Sequence, residues 1–250
     1  MKVRILGCGG SFGSPLAWGR NGTIDIDNPK NHRTRSSVLI KNNNQNLLID
    51  TSPDLRYQLY KARCTQIDAV LFTHEHSDHT AGLPDMRAMS LINQSIIPAY
   101  LSPHIKDSIK NNYKYIFEGV KDYSPFMSLN TIEDNFLIGD TNIKTFKHNH
   151  GSIDVQTYRI KNFAYSTDIK NFYENDIDKL KDLDLWIVGL LRYDPHPSHA
   201  GFEQILDYIK YLKPKKTLFT HMTALLDQED LLSKCPKNVE PAYDGMEIKL

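Results

Sequence analysis

The chain has 250 residues, of which 40% are hydrophobic and 24% are charged, and its 30 basic and 30 acidic side chains balance at neutral pH. This composition is typical of an ordinary globular protein and argues against an extended nucleic-acid interface, which requires an excess of lysine and arginine. Three widely separated cysteines indicate no disulfide framework. With no signal-peptide pattern and no apolar stretch near the roughly 20 residues of a membrane span, we expect a cytoplasmic protein without membrane contact.

Strand-like apolar runs alternate with helical patterns along the chain, which predicts a layered α/β fold. In the first half the predicted strands cover residues 3–7, 37–40, 46–50 and 69–73, and the predicted helices cover 82–92 and 103–118. The Asn42-Asn43-Asn44 segment predicts a hairpin turn between the second and third of these strands.

A second series of elements follows. Its predicted strands cover residues 135–138, 143–147, 155–160, 162–166, 184–189 and 216–220, and its predicted helices cover 172–181, 198–212 and 226–234. Two successive series of this kind suggest two similar halves that pack face to face. The one candidate hinge, at residues 119–128, is short, so the sequence favours a single domain over residues 1–250.

The strongest chemical signal is the segment from Leu71 to His79. Four metal-binding side chains fall within six residues, directly after an apolar strand and before a helix: His74, His76, Asp78 and His79. The carboxyl end of a strand is where α/β folds place their sites. Imidazole and carboxylate together suit zinc, manganese or iron(II). A histidine-rich surface loop is the alternative interpretation.

This His-x-His-x-Asp-His pattern resembles the signature of the metallo-β-lactamase superfamily, and the resemblance extends over essentially the whole chain. It implies a four-layer αβ/βα sandwich of two similar halves and a hydrolase that uses two divalent transition-metal ions, manganese or zinc. The first ion would be held by His74, His76 and His150, and the second by Asp78, His79 and His221. Asp168 would bridge the two ions, whose shared hydroxide would act as the nucleophile.

Several of these implied roles have competing interpretations. His148 lies two residues from His150, and a strand would direct both side chains to the same face. Asp168 could instead cap a helix near Asn171. Asp50 resembles the superfamily carboxylate that orients a ligand histidine, but it could equally form a turn before Pro53.

Within the superfamily, the chain looks most like the phosphoribosyl 1,2-cyclic phosphate phosphodiesterases and their relatives. The segments that carry this likeness are Gly7 to Pro15, Pro195 to His199 and Tyr243 to Ile248. The likeness implies a small phosphorylated substrate and gives His199 a catalytic role beside Asp78, either protonating the leaving oxygen or binding the phosphate. His199 could instead belong to a helix cap. A homodimer is left open.

One segment departs from that group. Its members carry a cysteine cluster for a structural zinc after the glycine loop, whereas Trp18 to Thr23 contains no cysteine. We therefore expect no structural zinc. A nearby basic cluster, His32, Arg33 and Arg35, is interpreted as an exposed loop, with phosphate binding as the alternative. A tRNA 3′-end endonuclease, a thioester or lactam hydrolase, and a non-catalytic metal-binding protein are the competing functions.

Overall fold

A computed structural model describes residues 1–19 and 22–250. Its first half begins with β1 (Lys2–Gly7), β2 (Ser37–Asn42), β3 (Gln45–Ile49), α1 (Leu55–Ala62), β4 (Ala69–Leu71), α2 (Ser77–Thr80) and α3 (Met86–Asn93). It continues with β5 (Ile97–Leu101), α4 (Pro103–Asn112), α5 (Lys114–Glu118) and β6 (Met127–Thr131). Short 3-10 turns cover Pro29–Asn31 and Leu83–Asp85.

The second half begins with β7 (Asn135–Ile138), β8 (Thr141–His150), β9 (Ile153–Ile160), β10 (Phe163–Ser166) and β11 (Asn171–Phe172). After a 3-10 turn at Ile177–Leu180 come β12 (Leu185–Gly189), α6 (Phe202–Leu212), β13 (Lys216–Thr220), α7 (Gln228–Lys234), β14 (Val239–Pro241) and β15 (Glu247–Lys249). Within the described residues, no helix combines the length and apolar character that a bilayer crossing requires.

Two mixed sheets form the centre of the molecule. The first has the order β15-β1-β2-β3-β4-β5-β6, and the second has the order β11-β8-β9-β10-β12-β13-β14, with β7 also paired to β8. In each sheet, antiparallel hairpins are followed by parallel strands, as in β3-β4-β5 and β10-β12-β13. The predicted α/β sandwich is therefore confirmed. The last strand, β15, returns to pair with β1 in the first sheet.

Two apolar clusters hold the layers together. The larger lies between the inner faces of the sheets and extends to helix α6, with Ile40, Leu71 and Trp186 among its members. The smaller packs the outer face of the first sheet against α1, α3 and α4, through residues such as Leu59 and Met86. Because both sheets are covered on both faces, polar side chains inside the sandwich require local partners.

Some predicted elements were wrong. The helix predicted at 172–181 is replaced by β11 and a 3-10 turn, because Asn171–Phe172 pairs with His148–Asn149 of β8. The helix predicted at 103–118 is interrupted at Tyr113, and the one predicted at 198–212 begins only at Phe202. The strand Ile97–Leu101 and the helix Leu55–Ala62 were not predicted. The hairpin turn after Asn42 is confirmed, with Asn43 at a φ of 53°.

Candidate metal centre

The candidate centre lies at the carboxyl ends of strands from both sheets. Strand β4 ends at Leu71, and the chain then passes through His74 and His76 into the short helix α2, which carries Asp78 and His79. From the second sheet, His150 ends β8, Asp168 follows β10 and His221 follows β13. The fold thus brings all seven residues expected as ligands into one cluster.

Three residues of the site have left-handed backbones. The φ angles of Asp50, Asp168 and His221 are 61°, 52° and 58°. This conformation costs roughly 1–2 kcal/mol for a non-glycine residue, so each turn opposes stability unless the surroundings compensate. Strain of this kind at three strand ends around one point is typical of a functional site.

The polar atoms converge closely. The Nε2 atom of His79 lies 3.3 Å from Asp78 Oδ2 and 3.2 Å from Asp168 Oδ2. The Nε2 atom of His221 lies 3.2 Å from Asp78 Oδ2 and 3.3 Å from Asp168 Oδ1. In a second group, His74 Nε2 lies 3.0 Å from His76 Nδ1, and the ring of His150 packs edge-on against both histidines.

These atoms fall into sets that could each hold an ion. One set is His74, His76 and His150, and another is Asp78, His79 and His221, with the ligand atoms of each within 4.8 Å of one another. Asp168 belongs to two further sets, one with His74 and His79 and the other with His150 and His199. The carboxylate of Asp168 therefore lies between the two histidine groups.

The electrostatics fit a bound cation. Burial alone would raise the pKa of Asp168, but His221 and His79 hold it well below its usual value, so the side chain is a carboxylate. Burial lowers the pKa of His74, which keeps that imidazole neutral, as a metal ligand must be. The Nε2 atom of His79 is buried without a well-aligned hydrogen bond among the described residues. This atom and the neighbouring imidazole and carboxylate groups form a donor set that suits a divalent transition metal.

Asp50 lies behind the cluster rather than in it. Its Oδ2 atom is 2.7 Å from His79 Nδ1, and its carboxylate accepts hydrogen bonds from the backbone N–H and the hydroxyl of Thr73, both at 2.8 Å. The Thr73 hydroxyl also lies 3.0 Å from His74 Nδ1. Thr73 was missed in the sequence, where nothing but its position before His74 marks it.

The two candidate histidines of β8 have different surroundings. Both ring nitrogens of His148 have partners, Thr157 Oγ1 at 3.0 Å and the Thr167 carbonyl at 2.7 Å, and burial lowers its pKa to about 4. His150 Nδ1 donates to the Ser198 carbonyl at 2.8 Å, which directs Nε2 towards the cluster. Of these two histidines, His150 is therefore the one with a free ligand atom. The orienting contact of Ser198 with His150 was not identified from the sequence.

His199 lies at the edge of the cluster. Its Nε2 atom is 3.9 Å from Asp168 Oδ1, and its ring stacks on His221 at 5.5 Å. Burial lowers the pKa of His199 to about 3, so its imidazole is neutral. Helix α6 begins at Phe202 with Gly201 as its cap residue and no side-chain capping bond, so His199 does not cap it.

The basic cluster at residues 32–35 was misinterpreted in part. Arg33 is 1% exposed, and its guanidinium donates to Leu226 O at 2.7 Å and to Asn31 Oδ1 at 3.0 Å. It is a buried structural residue, since its hydrogen bonds tie the loop after the first strand to the start of α7. His32 is exposed, and Arg35 pairs with Asp54 at 3.0 Å.

Of the segment expected to lack a structural zinc, Arg20 and Asn21 lie outside the described residues. Its last residue, Thr23, donates from its backbone N–H to Ala224 and from its hydroxyl to Leu225, both at 3.0 Å. Asp25, just beyond, donates from its backbone N–H to Asp227 Oδ2 at 3.0 Å. Hydrogen bonds therefore join this loop to the region before α7.

Comparison with known proteins identifies relatives. Residues 45–222 match the sequence model of the β-lactamase superfamily domain. The chain is 32% identical over 254 residues to a Porphyromonas gingivalis protein named octanoyltransferase and 28% identical over 185 residues to ribonuclease Z of Clostridium kluyveri. These alignments cover 99% and 72% of this chain but only 51% and 52% of the relatives, so the chain spans about half the length of each.

Solved structures extend the comparison. A diphosphatase of the PhnP family superimposes with a TM-score of 0.90 and 27% identity, over 100% of this chain and 97% of the other. Zinc-bound PqqB from Methylobacterium extorquens has a TM-score of 0.82 at 19% identity, over the full length of both chains. The short form of human tRNase Z has a TM-score of 0.71 at 20% identity, over 100% of this chain and 99% of that one. The last two likenesses establish the fold.

Proposed function

The chain belongs to the metallo-β-lactamase superfamily of metal-dependent hydrolases, and from that premise we propose that it is a two-metal phosphodiesterase. Its preferred substrate would be a small cyclic phosphate of a sugar or a nucleotide. The observation that carries the proposal is the clustering of six other ligand side chains around Asp168 at the mouth of the sandwich. The full-length likeness to a PhnP-family diphosphatase supports phosphoryl chemistry in particular.

In this proposal, His74, His76 and His150 hold one cation, and Asp78, His79 and His221 hold the other. Asp168 contributes to both, because its carboxylate lies within 3.3 Å of His79 and His221 of the second set, and its Oδ1 atom lies 3.9 Å from His150 Nε2 of the first set. Two bound divalent cations would lower the pKa of a water at the site and neutralise the charge on phosphoryl oxygens.

The protein's own part is to orient these ligands and to exclude bulk water. Hydrogen bonds fix the rings of His79 and His150 through Asp50 and Ser198, respectively. Such supporting contacts set the tautomer of a ligand histidine and strengthen its binding to the metal. The cluster is also largely buried: His74, His79 and His221 are each at most 1% exposed. His76, by contrast, is exposed and marks the side from which substrate would enter.

His199 would act on the leaving group. Its ring stacks on that of His221 and approaches Asp168 without a close hydrogen bond to it. A neutral imidazole retains one N–H, which would stabilise the departing oxygen by a hydrogen bond or by proton transfer. The position of this ring, rather than its titration, is the basis for the assignment.

A second candidate is RNA 3′-end cleavage, favoured by the 28% identity to ribonuclease Z over 185 residues. Both reactions break phosphodiesters, so they differ in how the rest of the substrate is held. The balanced charge, 30 basic against 30 acidic residues, favours the small substrate, because a bound tRNA would need a phosphate-binding surface.

The test is a parallel assay of one protein preparation, loaded with manganese or with zinc. Substrates would be bis(p-nitrophenyl) phosphate, 2′,3′-cyclic nucleotides, ribose cyclic phosphate, a precursor tRNA, a thioester and a β-lactam. We expect the cyclic phosphates to have the highest kcat/KM. A higher value for precursor tRNA would favour the second candidate, and a higher value for the thioester or lactam would refute both.

A further inference from the structure

A cavity of about 510 Å³ lies apart from the metal centre, beside helix α1. Its walls come from β1, from the loop at residues 12–17, from residues 32–35 and from α1. None of the seven expected metal ligands lines it. The volume is within the range of small-molecule sites, about 300–1,000 Å³.

Four cationic side chains and one histidine line this cavity, but most of them are already engaged. Arg33 is buried and donates to Leu226 O and Asn31 Oδ1. Arg4 pairs with Glu247 at 3.0 Å and donates to the Lys61 carbonyl. His32 Nε2 lies 2.7 Å from the Ile26 carbonyl. These three residues therefore form part of the cavity wall, with side chains that already have partners within the protein.

Two cations keep open donors. Arg35 contacts Asp54 through Nε, and its terminal guanidinium nitrogens have no hydrogen-bond partner among the described residues. Lys61 has no carboxylate within 4 Å in the part of the chain described, and its ammonium lies 5.4 Å from the ring centre of Tyr57. A guanidinium edge and an ammonium facing one cavity are suited to a phosphate or carboxylate.

The two acidic side chains in the lining already accept hydrogen bonds from backbone N–H groups. Asp54 accepts from Arg35 N at 2.8 Å, and Asp244 accepts from Cys8 N at 3.1 Å and from Thr34 N at 2.8 Å. Their charges are thus directed into the fold, and the charged side chains of the wall that keep open donors are the cations Arg35 and Lys61.

Aromatic side chains supply the remaining surface. Phe12 is 67% exposed and Tyr57 is 51% exposed, although both line the cavity. Trp18, 60% exposed, packs edge-on against Phe12 at 5.7 Å. Large exposed rings beside cationic side chains that keep open donors are typical of a site where a planar ring stacks and an attached anion is bound.

From this combination we infer that the cavity is a second binding site, separate from the metal centre, for a small anion that carries an aromatic ring. A nucleoside monophosphate has the required chemistry. Its phosphate would bind Arg35 and Lys61, and its base would stack against Phe12 or Tyr57.

The experiment measures binding of AMP, adenosine and inorganic phosphate by calorimetry, with tryptophan fluorescence as a second readout. Trp18 reports on the cavity, whereas Trp186 is fully buried in the core. AMP should bind more tightly than either fragment, both before and after chelation of the metals. Lys61→Gln and Arg35→Gln should each weaken AMP binding about tenfold or more.

Lys210→Gln is the matched control, because Lys210 occupies the last turn of α6 as Lys61 occupies the last turn of α1. The affinity of this variant for AMP should equal that of the unmodified protein. Thermal unfolding should establish that all variants fold. Loss of AMP binding on chelation would instead locate the ligand at the metal centre. That result would overturn the inference. So would equal weakening by Lys210→Gln, absence of AMP binding, or AMP binding that is no tighter than phosphate binding.

Discussion

The Nδ1 atom of His79 lies 2.7 Å from the Oδ2 atom of Asp50, and neither side chain has any exposed surface. Because a carboxylate can only accept, Nδ1 carries a proton, and Nε2 is the ring atom that faces Asp78 and Asp168. Burial raises the pKa of Asp50 while His79 opposes that shift. The pair therefore determines which nitrogen of His79 can bind a metal.

Replacing Asp50 with asparagine should weaken metal binding about 10–100-fold. The amide can offer its oxygen to His79 Nδ1 and to the hydroxyl of Thr73, but its NH₂ group would then face the backbone N–H of Thr73, which is also a donor. Affinity would be measured by competition with a chromophoric chelator. Asp68→Asn is the control, since Asp68 also accepts a backbone N–H, from Asn46 at 2.6 Å, but is not part of the site. Equal affinities for both variants would contradict the orienting role.

Metal content is the direct test of the two-ion proposal. Elemental analysis of reconstituted protein should find two transition-metal ions per chain, and chelation should abolish hydrolysis. One ion or fewer per chain would exclude the two-metal site. A tightly held third ion would contradict the expectation that the segment from Trp18 to Thr23 holds no structural zinc.

Asp168→Asn should lose at least one ion and most of the turnover while it keeps the fold. Asparagine tolerates the left-handed backbone that Asp168 adopts at a φ of 52°, so this variant changes charge with little backbone cost. An amide cannot neutralise two cations as a carboxylate does. Elemental analysis, activity and circular dichroism would be measured together, and normal activity at full occupancy would exclude the bridging role.

The sequence predicted which side chains lie together in the candidate site, for a local reason. Four of the expected ligands occur within six residues, and His150, Asp168 and His221 each stand at the end of a recognisable strand. Strand ends at one edge of a sheet lie close together, which groups the three ligands of the second sheet, whereas their meeting with the ligands after β4 depends on how the two sheets pack. The choice between His148 and His150 needed the structure, because it depends on partners such as Thr157 and Thr167.

The elements that sequence reasoning missed depend on distant contacts. Tyr173, Ile177 and Leu180 have the i, i+4, i+7 spacing of a helix, yet pairing with β8 makes residues 171 and 172 a strand. Pro98 discourages a strand assignment, but β5 lies between two parallel neighbours in the sheet. Arg33 has the charge of a surface residue, and its burial depends on acceptors that include the carbonyls of the distant loop before α7.

Asp244 should make stability depend on pH. Its carboxylate joins the C-terminal segment to Cys8 and Thr34, and burial raises its pKa to about 6. Because the unfolded value is about 3.9, the folded protein holds this proton more tightly. The stabilisation is complete below about pH 4 and is lost as the pH rises through about 6, on the order of 3 kcal/mol in total.

Urea unfolding of the natural protein and of Asp244→Asn, at several values between about pH 4 and pH 7, checks this expectation. The variant cannot titrate at this position, so the stability advantage of the natural protein over it should shrink as the pH rises. Contributions from the histidines cancel in the difference. A difference that is constant, or that grows with pH, would show that Asp244 is already ionised throughout this range.

His199→Ala should separate leaving-group stabilisation from the rest of catalysis. A sugar hydroxyl leaves poorly without a proton or a hydrogen bond, whereas p-nitrophenolate leaves without help. A general acid contributes roughly 10²–10⁴-fold to rate, so hydrolysis of a cyclic nucleotide should slow by a factor in that range and hydrolysis of bis(p-nitrophenyl) phosphate by much less. Elemental analysis should find the metal content unchanged.

His104→Ala is the matched control, since His104 is exposed near the start of α4 and should affect neither substrate. His199 is also placed with His150 and Asp168 in a set that could hold an ion, so loss of metal in the alanine variant would identify it as a ligand instead. Equal slowing of both substrates with full metal occupancy would make it a binding or packing residue. A larger loss for the poor leaving group alone fits a ring that contacts the departing oxygen, because only that contact depends on how well the oxygen bears charge.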